Sequence, residues 1–169
     1  LDRLGDAKQV AQLGAAIGRE FPYALLEAVA PMREVALREG LGRLLEAELV
    51  YQRGLPPKAT YTFKHALVQD SAYQSLLESQ RRELHGRIAD ALERHFPERV
   101  AREPEVMGRH CDTAGRTPEA IGHYQRAGER ARQASANEEA IGHLRRALEL
   151  LGTLPETRER DRQERGLHI

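Results

Sequence analysis

The sequence contains no tryptophan, a single cysteine and no excess of either charge. Because Cys111 has no second cysteine to pair with, an internal disulfide is excluded, and we expect a reducing compartment such as the cytoplasm. Lys plus Arg and Asp plus Glu both number 26, whereas a dedicated nucleic-acid binder normally carries a basic excess. No apolar run approaches the roughly 20 residues of a membrane-spanning helix, so we expect no membrane partner.

The short motifs that mark nucleotide sites and catalytic nucleophiles are also missing. The chain has no GxxxxGK(S/T) phosphate loop, no GxGxxG after a predicted strand and no GxSxG. We therefore predict no catalytic residue, no cofactor bound by this chain itself and no enzyme activity. The chain also lacks an initiator methionine and stops within a helical pattern, from which we expect an interior fragment of a larger protein.

Among the residues with metal-binding side chains in the second half are an adjacent pair and two repeat equivalents, whose spacing does not favour a shared ion. His110 and Cys111 are adjacent, so on a helix their side chains would point about 100° apart. His123 and His143 occupy equivalent places in two similar segments. We predict structural or surface roles for all four and no metal site, with Cys111 as a small buried apolar residue.

Three amphipathic segments and two short β-like runs make up the first part of the chain. Residues 6–17, the segment opened by Pro22 and residues 33–48 place apolar side chains on one helical face. Residues 49–53 and 60–64 are β-like, and the loop between them has a glycine and two prolines that suit a long hairpin. Three helices followed by a hairpin predict a winged helix.

The third amphipathic segment, residues 33–48, is the recognition helix that a DNA-binding winged helix would use. It is net negative, which suits a groove lined by phosphates poorly: Arg33, Arg38 and Arg43 stand against Glu34, Glu39, Glu46 and Glu48. Gly40 and Gly42 either weaken the helix, by roughly 1 kcal/mol each relative to alanine, or allow close packing. The side chains expected to face inward are Val35, Leu37, Leu41, Leu44 and Leu45.

The second half is predicted to be helical and contains an internal repeat. We expect helices over residues 65–77, 81–96 and 104–115, with PERVAREP as a loop before the last of them. EAIGHYQRA begins at Glu119 and EAIGHLRRA at Glu139, and each follows a helix-opening signal.

Each copy of the repeat places alanine, isoleucine, a large apolar residue and a second alanine on one helical face. Such helices bury their faces by stacking on one another, which predicts tetratricopeptide-like hairpins. The predicted fold is therefore mainly α, with a winged-helix domain over residues 1–78. A tetratricopeptide-like array over residues 79–169, incomplete at its C-terminus, follows it.

One stretch, YTFKHALVQDSAYQSLL over residues 61–77, changes from a strand period to a helix period at Lys64 and His65. The first turn of a helix presents unpaired N–H groups and a partial positive charge. A lysine and a histidine there add donors, which indicates an anion site with a phosphate oxygen as its guest. In the alternative, His65 caps or packs locally and Lys64 is solvated. The helical part has apolar residues at three- and four-residue spacing: Leu67, Val68, Tyr73, Leu76 and Leu77.

Several segments resemble one family of proteins: AAIGREFPYALLEAVA, LLEAELVYQRG, YTFKHALVQDSAYQSLL, RRELHGRIADALE and AIGHLRRALELL. They look like the region after the nucleotide-binding domain in bacterial STAND-class, AAA-related signalling ATPases. These proteins are often fused to class III adenylate or guanylate cyclase domains or to serine/threonine kinase domains. The resemblance covers nearly the whole chain.

This resemblance implies a nucleotide switch, which ADP holds closed and which ATP with a sensor ligand opens. It also implies that His65, with Lys64 beside it, contacts the phosphate of ADP bound by another domain. Ala66 stands where plant and animal relatives often have an aspartate, so only the histidine of their motif is present.

We therefore predict a non-catalytic regulatory module of a signalling ATPase, in which the winged helix gates the switch and the array mediates interactions. The expected partners are the nucleotide-binding domain of the same polypeptide and an unknown protein or small-molecule effector on the array. ATP or ADP would be bound by the parent protein. Two alternatives stay open, a DNA-binding winged-helix transcription regulator and a free-standing helical adaptor.

Overall fold

The computed structural model describes the backbone of residues 2–155 and the side chains of residues 5–155. Within that part, the chain forms nine α-helices and one small antiparallel sheet, which confirms the predicted mainly α fold. It divides into two compact units, Leu1–Ala91 and Leu92–Ile169. The predicted end of the winged-helix domain at residue 78 stays a prediction. None of the described helices combines the length and the apolar content that crossing a membrane requires.

The first unit has the helix and strand order of a winged helix. Its sheet runs in the order β1-β3-β2, and both neighbouring pairs are antiparallel. A last helix, α5, continues past the boundary between the units. The bounds in chain order are α1 (Asp2–Ile17), β1 (Glu20–Pro22), α2 (Tyr23–Val29), α3 (Glu34–Glu46), β2 (Val50–Arg53), β3 (Thr60–Phe63), α4 (Ala66–Gln74) and α5 (Glu78–His95).

The sequence patterns missed strand β1, which lies where they indicated only a break between helices. Phe21 pairs with Tyr61 of β3, and its fully buried ring stacks on the Tyr61 ring with centroids 5.7 Å apart. The ring of Phe63 also packs on the Phe21 ring, with centroids 5.3 Å apart. Pro22, expected to open a helix, instead ends β1 and is the N-cap of α2. An edge strand tolerates this proline because its nitrogen has no ladder bond to donate.

Helix α3 packs against α1 through a narrower face than its sequence predicted. At Gly40 a Cβ atom would come within 2.7 Å of Val10 Cγ2, so this glycine does allow close packing, whereas Gly42 faces open space. The prediction that Val35 faces inward is wrong, because α3 begins at Glu34 and Val35 is 69% exposed in its first turn. The fully buried positions of the predicted inward set are Leu37, Leu41 and Leu44.

The second unit is built from helices joined by short connections. The helices within it are α6 (Pro97–Arg102), α7 (Pro104–Thr113), α8 (Thr117–Gln133) and α9 (Asn137–Gly152). The predicted loop PERVAREP is wrong, because α6 forms there with Pro97 in its first turn; six residues are too few to show a helical period. The short connections on either side of α8 make consecutive helices antiparallel neighbours, and α8 packs on both α7 and α9.

Small residues let the repeated helices α8 and α9 approach closely. Ala127 and its repeat equivalent Ala147 are 3% and 0% exposed. At Gly128 an added Cβ would lie 2.6 Å from Leu144 Cγ, closer than real side chains come. The buried alanines belong to the repeat, whereas Gly128 directly follows its first copy.

A polar cluster joins three helices of the second unit. Arg146 of α9 donates two hydrogen bonds to the Asp112 carboxylate of α7, at 2.9 and 3.1 Å. Burial and then the nearby charge of Asp112 raise the pKa of Tyr124 of α8. Because the guanidinium and the carboxylate meet in a two-pronged geometry, this contact fixes the register of α9 on the helices before it.

Candidate functional site

The predicted site residues, Lys64 and His65, form the connection between the end of β3 and the start of α4. His65 is the N-cap of α4 and has an extended backbone, and its carbonyl accepts the first helical bond from the Val68 amide at 3.1 Å. Its side chain is exposed and makes no capping hydrogen bond. The imidazole of His65 therefore does not cap α4, contrary to what the alternative interpretation proposed.

Lys64 is held more closely than His65, although both come from the same turn. Its side chain is 19% exposed, and Nζ lies 4.7 Å from the centroid of the Tyr51 ring. Nζ is also 3.7 Å from Oε2 of Glu48, a residue whose own side chain is 81% exposed. Lys64, which the alternative interpretation left solvated, is thus largely covered by strand β2 and the turn before it. Surface contacts of this kind contribute about 1 kcal/mol or less each.

Helix α4, which begins at this turn, lies on the surface of the first unit. It packs against α1, but none of its residues is buried. The sequence placed Leu67 and Leu77 on an apolar helical face, yet they are 78% and 67% exposed. Leu77 follows the end of α4, and Leu67 does not point toward α1, so only Leu76 of the predicted set is buried. Exposed apolar side chains near His65 are a feature that spacing alone could not show.

The DNA-reading face that α3 would need is partly occupied by contacts within the protein. Arg38 pairs with Glu34 at 2.6 Å and donates to the Tyr23 hydroxyl at 3.3 Å. Burial raises the pKa of Tyr23, and the hydrogen bond from Arg38 opposes that rise. Arg38 is therefore engaged with one residue of its own helix and one of α2, and the DNA-binding alternative stays a prediction.

A second candidate site, which the sequence reasoning missed, is a cavity of about 580 Å³ in the second unit. We call it the α8 groove. Its charged lining consists of Arg126, Arg130 and Glu129 of α8 and Glu93 of α5. Its apolar lining comes from α6 and α7 and includes Pro97, Val100 and Pro104.

His123 also lines the α8 groove and is 9% exposed. Nη2 of Arg126 lies 2.8 Å from its Nδ1. Burial and then the nearby charge of Arg126 lower the pKa of His123 from 6.5 to about 4, so the ring is neutral at physiological pH. One signal in the sequence was available: His123, Arg126 and Arg130 follow one another at spacings of three and four on a predicted helix.

The other residues with metal-binding side chains lie inside the second unit. His110 and Cys111 of α7 are both fully buried. Burial, with Glu119 nearby, raises the pKa of the Cys111 thiol to about 11, which keeps it protonated and unreactive. The part of the chain that the structure describes contains no group of three or more His, Cys, Asp or Glu side chains arranged to hold a metal ion.

Comparison with known proteins gives one relative. No protein-family model matches the chain, and no solved structure is significantly similar to it. A protein of Rhizobium meliloti (strain 1021), described only as uncharacterized, is 30% identical over 158 residues, or 93% of this chain. The chain spans only 15% of that relative's length. A sequence of this type therefore also occurs as a small part of a much longer polypeptide.

Proposed function

We propose that the chain is a non-catalytic regulatory module of a multidomain signalling ATPase. In this proposal the first unit is a winged helix that gates a nucleotide switch, and the second unit is an interaction array. The observation that carries it is the position of His65, whose exposed imidazole stands at the N-cap of α4 directly after the outgoing strand β3.

The local chemistry of this turn suits a phosphate oxygen. The first N–H groups of α4 and the positive end of its dipole favour a negative charge. The imidazole of His65 adds one directional donor, and the ammonium of Lys64 adds positive potential while Tyr51 and Glu48 hold it in place. A partner phosphate would thus meet a preformed set of donors at one edge of the unit.

The nucleotide in this proposal belongs to another domain of the same polypeptide. The 169 residues contain no phosphate loop, so this chain supplies a contact and not the binding pocket. The Rhizobium meliloti relative supports such an arrangement, because the matching part is only 15% of its length. The parent protein would work in the cytoplasm, where ATP and ADP are present and Cys111 stays reduced.

The contact from His65 would favour the ADP-bound, closed state. A hydrogen bond to a charged group contributes about 1.5–3 kcal/mol, which corresponds to roughly 10- to 150-fold in nucleotide retention. A contact that forms only in the closed state stabilises that state relative to the open one. Loss of the His65 contact should therefore weaken the retention of ADP.

The test uses the full-length protein that contains this chain, purified as the wild type, as His65→Ala and as the matched control His95→Ala. His95 is another exposed histidine, at the end of α5. We expect His65→Ala to lose co-purified ADP and to raise basal effector output, while His95→Ala retains both wild-type values. Unchanged ADP and output in His65→Ala would remove the sensor role.

The alternative of a DNA-binding regulator gives a different result. In a gel-shift assay at low salt, the proposal predicts weak binding of duplex DNA by this chain, because α3 is net negative and Arg38 is engaged. Tight binding that falls steeply with added salt would favour the DNA-binding alternative.

A further inference from the structure

The α8 groove presents two arginines that have no carboxylate partner. Arg126 and Arg130 are four residues apart on α8, so they share one face of the helix, where like charges repel. The hydrogen-bond partner of Arg126 is the ring of His123, and Arg130 has no ion pair with any residue that the structure describes. Two guanidinium groups on one helix face, neither of them in an ion pair, form a binding place for an anionic group.

His123 gives one of these arginines a fixed position. A guanidinium can only donate hydrogen bonds, so the ring nitrogen of His123 that faces Arg126 at 2.8 Å carries a lone pair. The His123 side chain is more than nine-tenths buried and cannot turn freely. Arg126 is therefore anchored from behind by a neutral acceptor, which leaves its other N–H groups for a ligand.

The groove also carries negative charge that is not paired with these arginines. Glu93 comes from the last turn of α5 and makes no ion pair within the described part of the chain. Glu129 accepts a hydrogen bond from the Gln125 amide at 3.3 Å. Charges of both signs thus line one cavity, from two different helices, without neutralising each other. The same cavity is also lined by apolar groups, among which are Pro97 and Val100.

We propose that the α8 groove binds a short peptide with free termini. The peptide carboxylate would lie against Arg126 and Arg130, the terminal ammonium would face Glu93, and an apolar side chain would cover Val100. A volume of about 580 Å³ falls within the roughly 300–1,000 Å³ of pockets that enclose compact ligands. This inference deepens the proposed function, on which its regulatory meaning rests, by assigning a ligand class to the array.

The binding test uses the 169-residue chain and the tripeptide Ala-Leu-Ala, measured by titration calorimetry. Two capped versions of the peptide, N-acetylated and C-amidated, each remove one charge. We expect saturable binding of the free tripeptide and a loss of about tenfold or more on capping either end, because each cap removes a charge-assisted hydrogen bond.

Matched variants locate the site in the groove. Arg130→Gln should bind the free and the amidated peptide with the same weak affinity, because the variant has lost the group that the carboxylate would meet. Glu93→Gln should bind the free and the acetylated peptide with the same weak affinity, because it has lost the group that the ammonium would face. Arg132→Gln and Glu98→Gln change exposed charges of the second unit that do not line the groove, and they should bind as the wild type does. Thermal unfolding of each variant shows that it is folded.

Three outcomes would overturn the inference: no saturable binding of the tripeptide, equal binding of the free and capped peptides, or equal losses in the groove and control variants. A fourth outcome would also contradict the inference: tight binding of the acetylated peptide, with affinity lost only when the peptide is amidated. The groove would then bind a carboxylate but not a terminal ammonium. None of these outcomes touches the ADP measurement on His65→Ala, so the two proposals fail separately.

Discussion

The two units of the molecule bury their interiors in different ways. The first unit brings together large aromatic side chains from strands far apart in the sequence, as the pairing of Phe21 with Tyr61 shows. The second unit stacks neighbouring helices through small residues, as at Gly128 beside Leu144. The aromatic cluster of the first unit should therefore be most sensitive to lost volume. The close helix contacts, at Gly128 and also at Gly40 of the first unit, should be sensitive to added volume.

The largest effect should come from removing volume in the first unit. Phe21→Ala deletes a fully buried ring between Tyr61 and Phe63, and we expect it to lower the free energy of unfolding by about 3–5 kcal/mol. Urea unfolding measures the loss. Leu55→Ala removes a side chain that is 77% exposed and should change stability by roughly 0.5 kcal/mol or less. Equal losses would show that the aromatic cluster is not the interior of this unit.

Adding volume at a close helix contact should destabilise the second unit. Gly128→Ala places a methyl group against Leu144, and we expect a loss of about 1–3 kcal/mol. Gly122→Ala on the same helix faces open space and should gain about 0.5–1 kcal/mol, because alanine favours a helix interior. If thermal unfolding shows that both variants are stabilised, the close contact between α8 and α9 is wrong.

The link between α9 and α7 should have a smaller effect. Arg146→Ala removes the paired hydrogen bonds to Asp112, and we expect a loss of about 1–2 kcal/mol because the Asp112 side chain is only 19% exposed. The control Arg145→Ala removes an exposed neighbour and should have little effect. If the two variants unfold at the same urea concentration, the contact between Arg146 and Asp112 does not stabilise the packing of α9.

The smallest effect we expect is a pH dependence from His123, since the groove is open to water. The unfolded chain binds a proton at His123 near pH 6.5, whereas the folded chain does so only near pH 4. Stability should therefore fall as the pH is lowered from about 6.5 to about 4. His123→Gln should flatten this part of the stability profile, and His143→Gln, its repeat equivalent, should not. If stability still falls as steeply with pH in His123→Gln as in the wild type, groups other than His123 cause the dependence.

The sequence predicted those parts of the fold that long, regular patterns specify. Helices α1, α3, α8 and α9 all lie close to their predicted segments, and the hairpin β2–β3 is where the change of period placed it. Strand β1 and helix α6 were missed because three and six residues are too short to show a period. Val35 and Leu67 were expected to face inward but are exposed, because Val35 lies in the first turn of α3 and α4 lies on the surface with no buried residue.

The two candidate sites also differ in how far the sequence predicts them. Lys64 and His65 are adjacent in sequence, so their place between a strand and a helix could be predicted from the local pattern. The α8 groove joins Glu93 to Arg126 and Arg130, and the packing of α5, α6, α7 and α8 brings them together. A site built from long-range packing leaves only a weak trace in the sequence, here the spacing of His123 and the two arginines.

The release of ADP from the full-length protein tests the proposed switch most directly. The rate at which bound ADP is lost after dilution would be compared between the wild type and His65→Ala. The proposal predicts release about tenfold faster or more in His65→Ala, with His95→Ala unchanged. Equal rates in all three proteins would contradict the account, because His65 would then make no contact that holds the nucleotide.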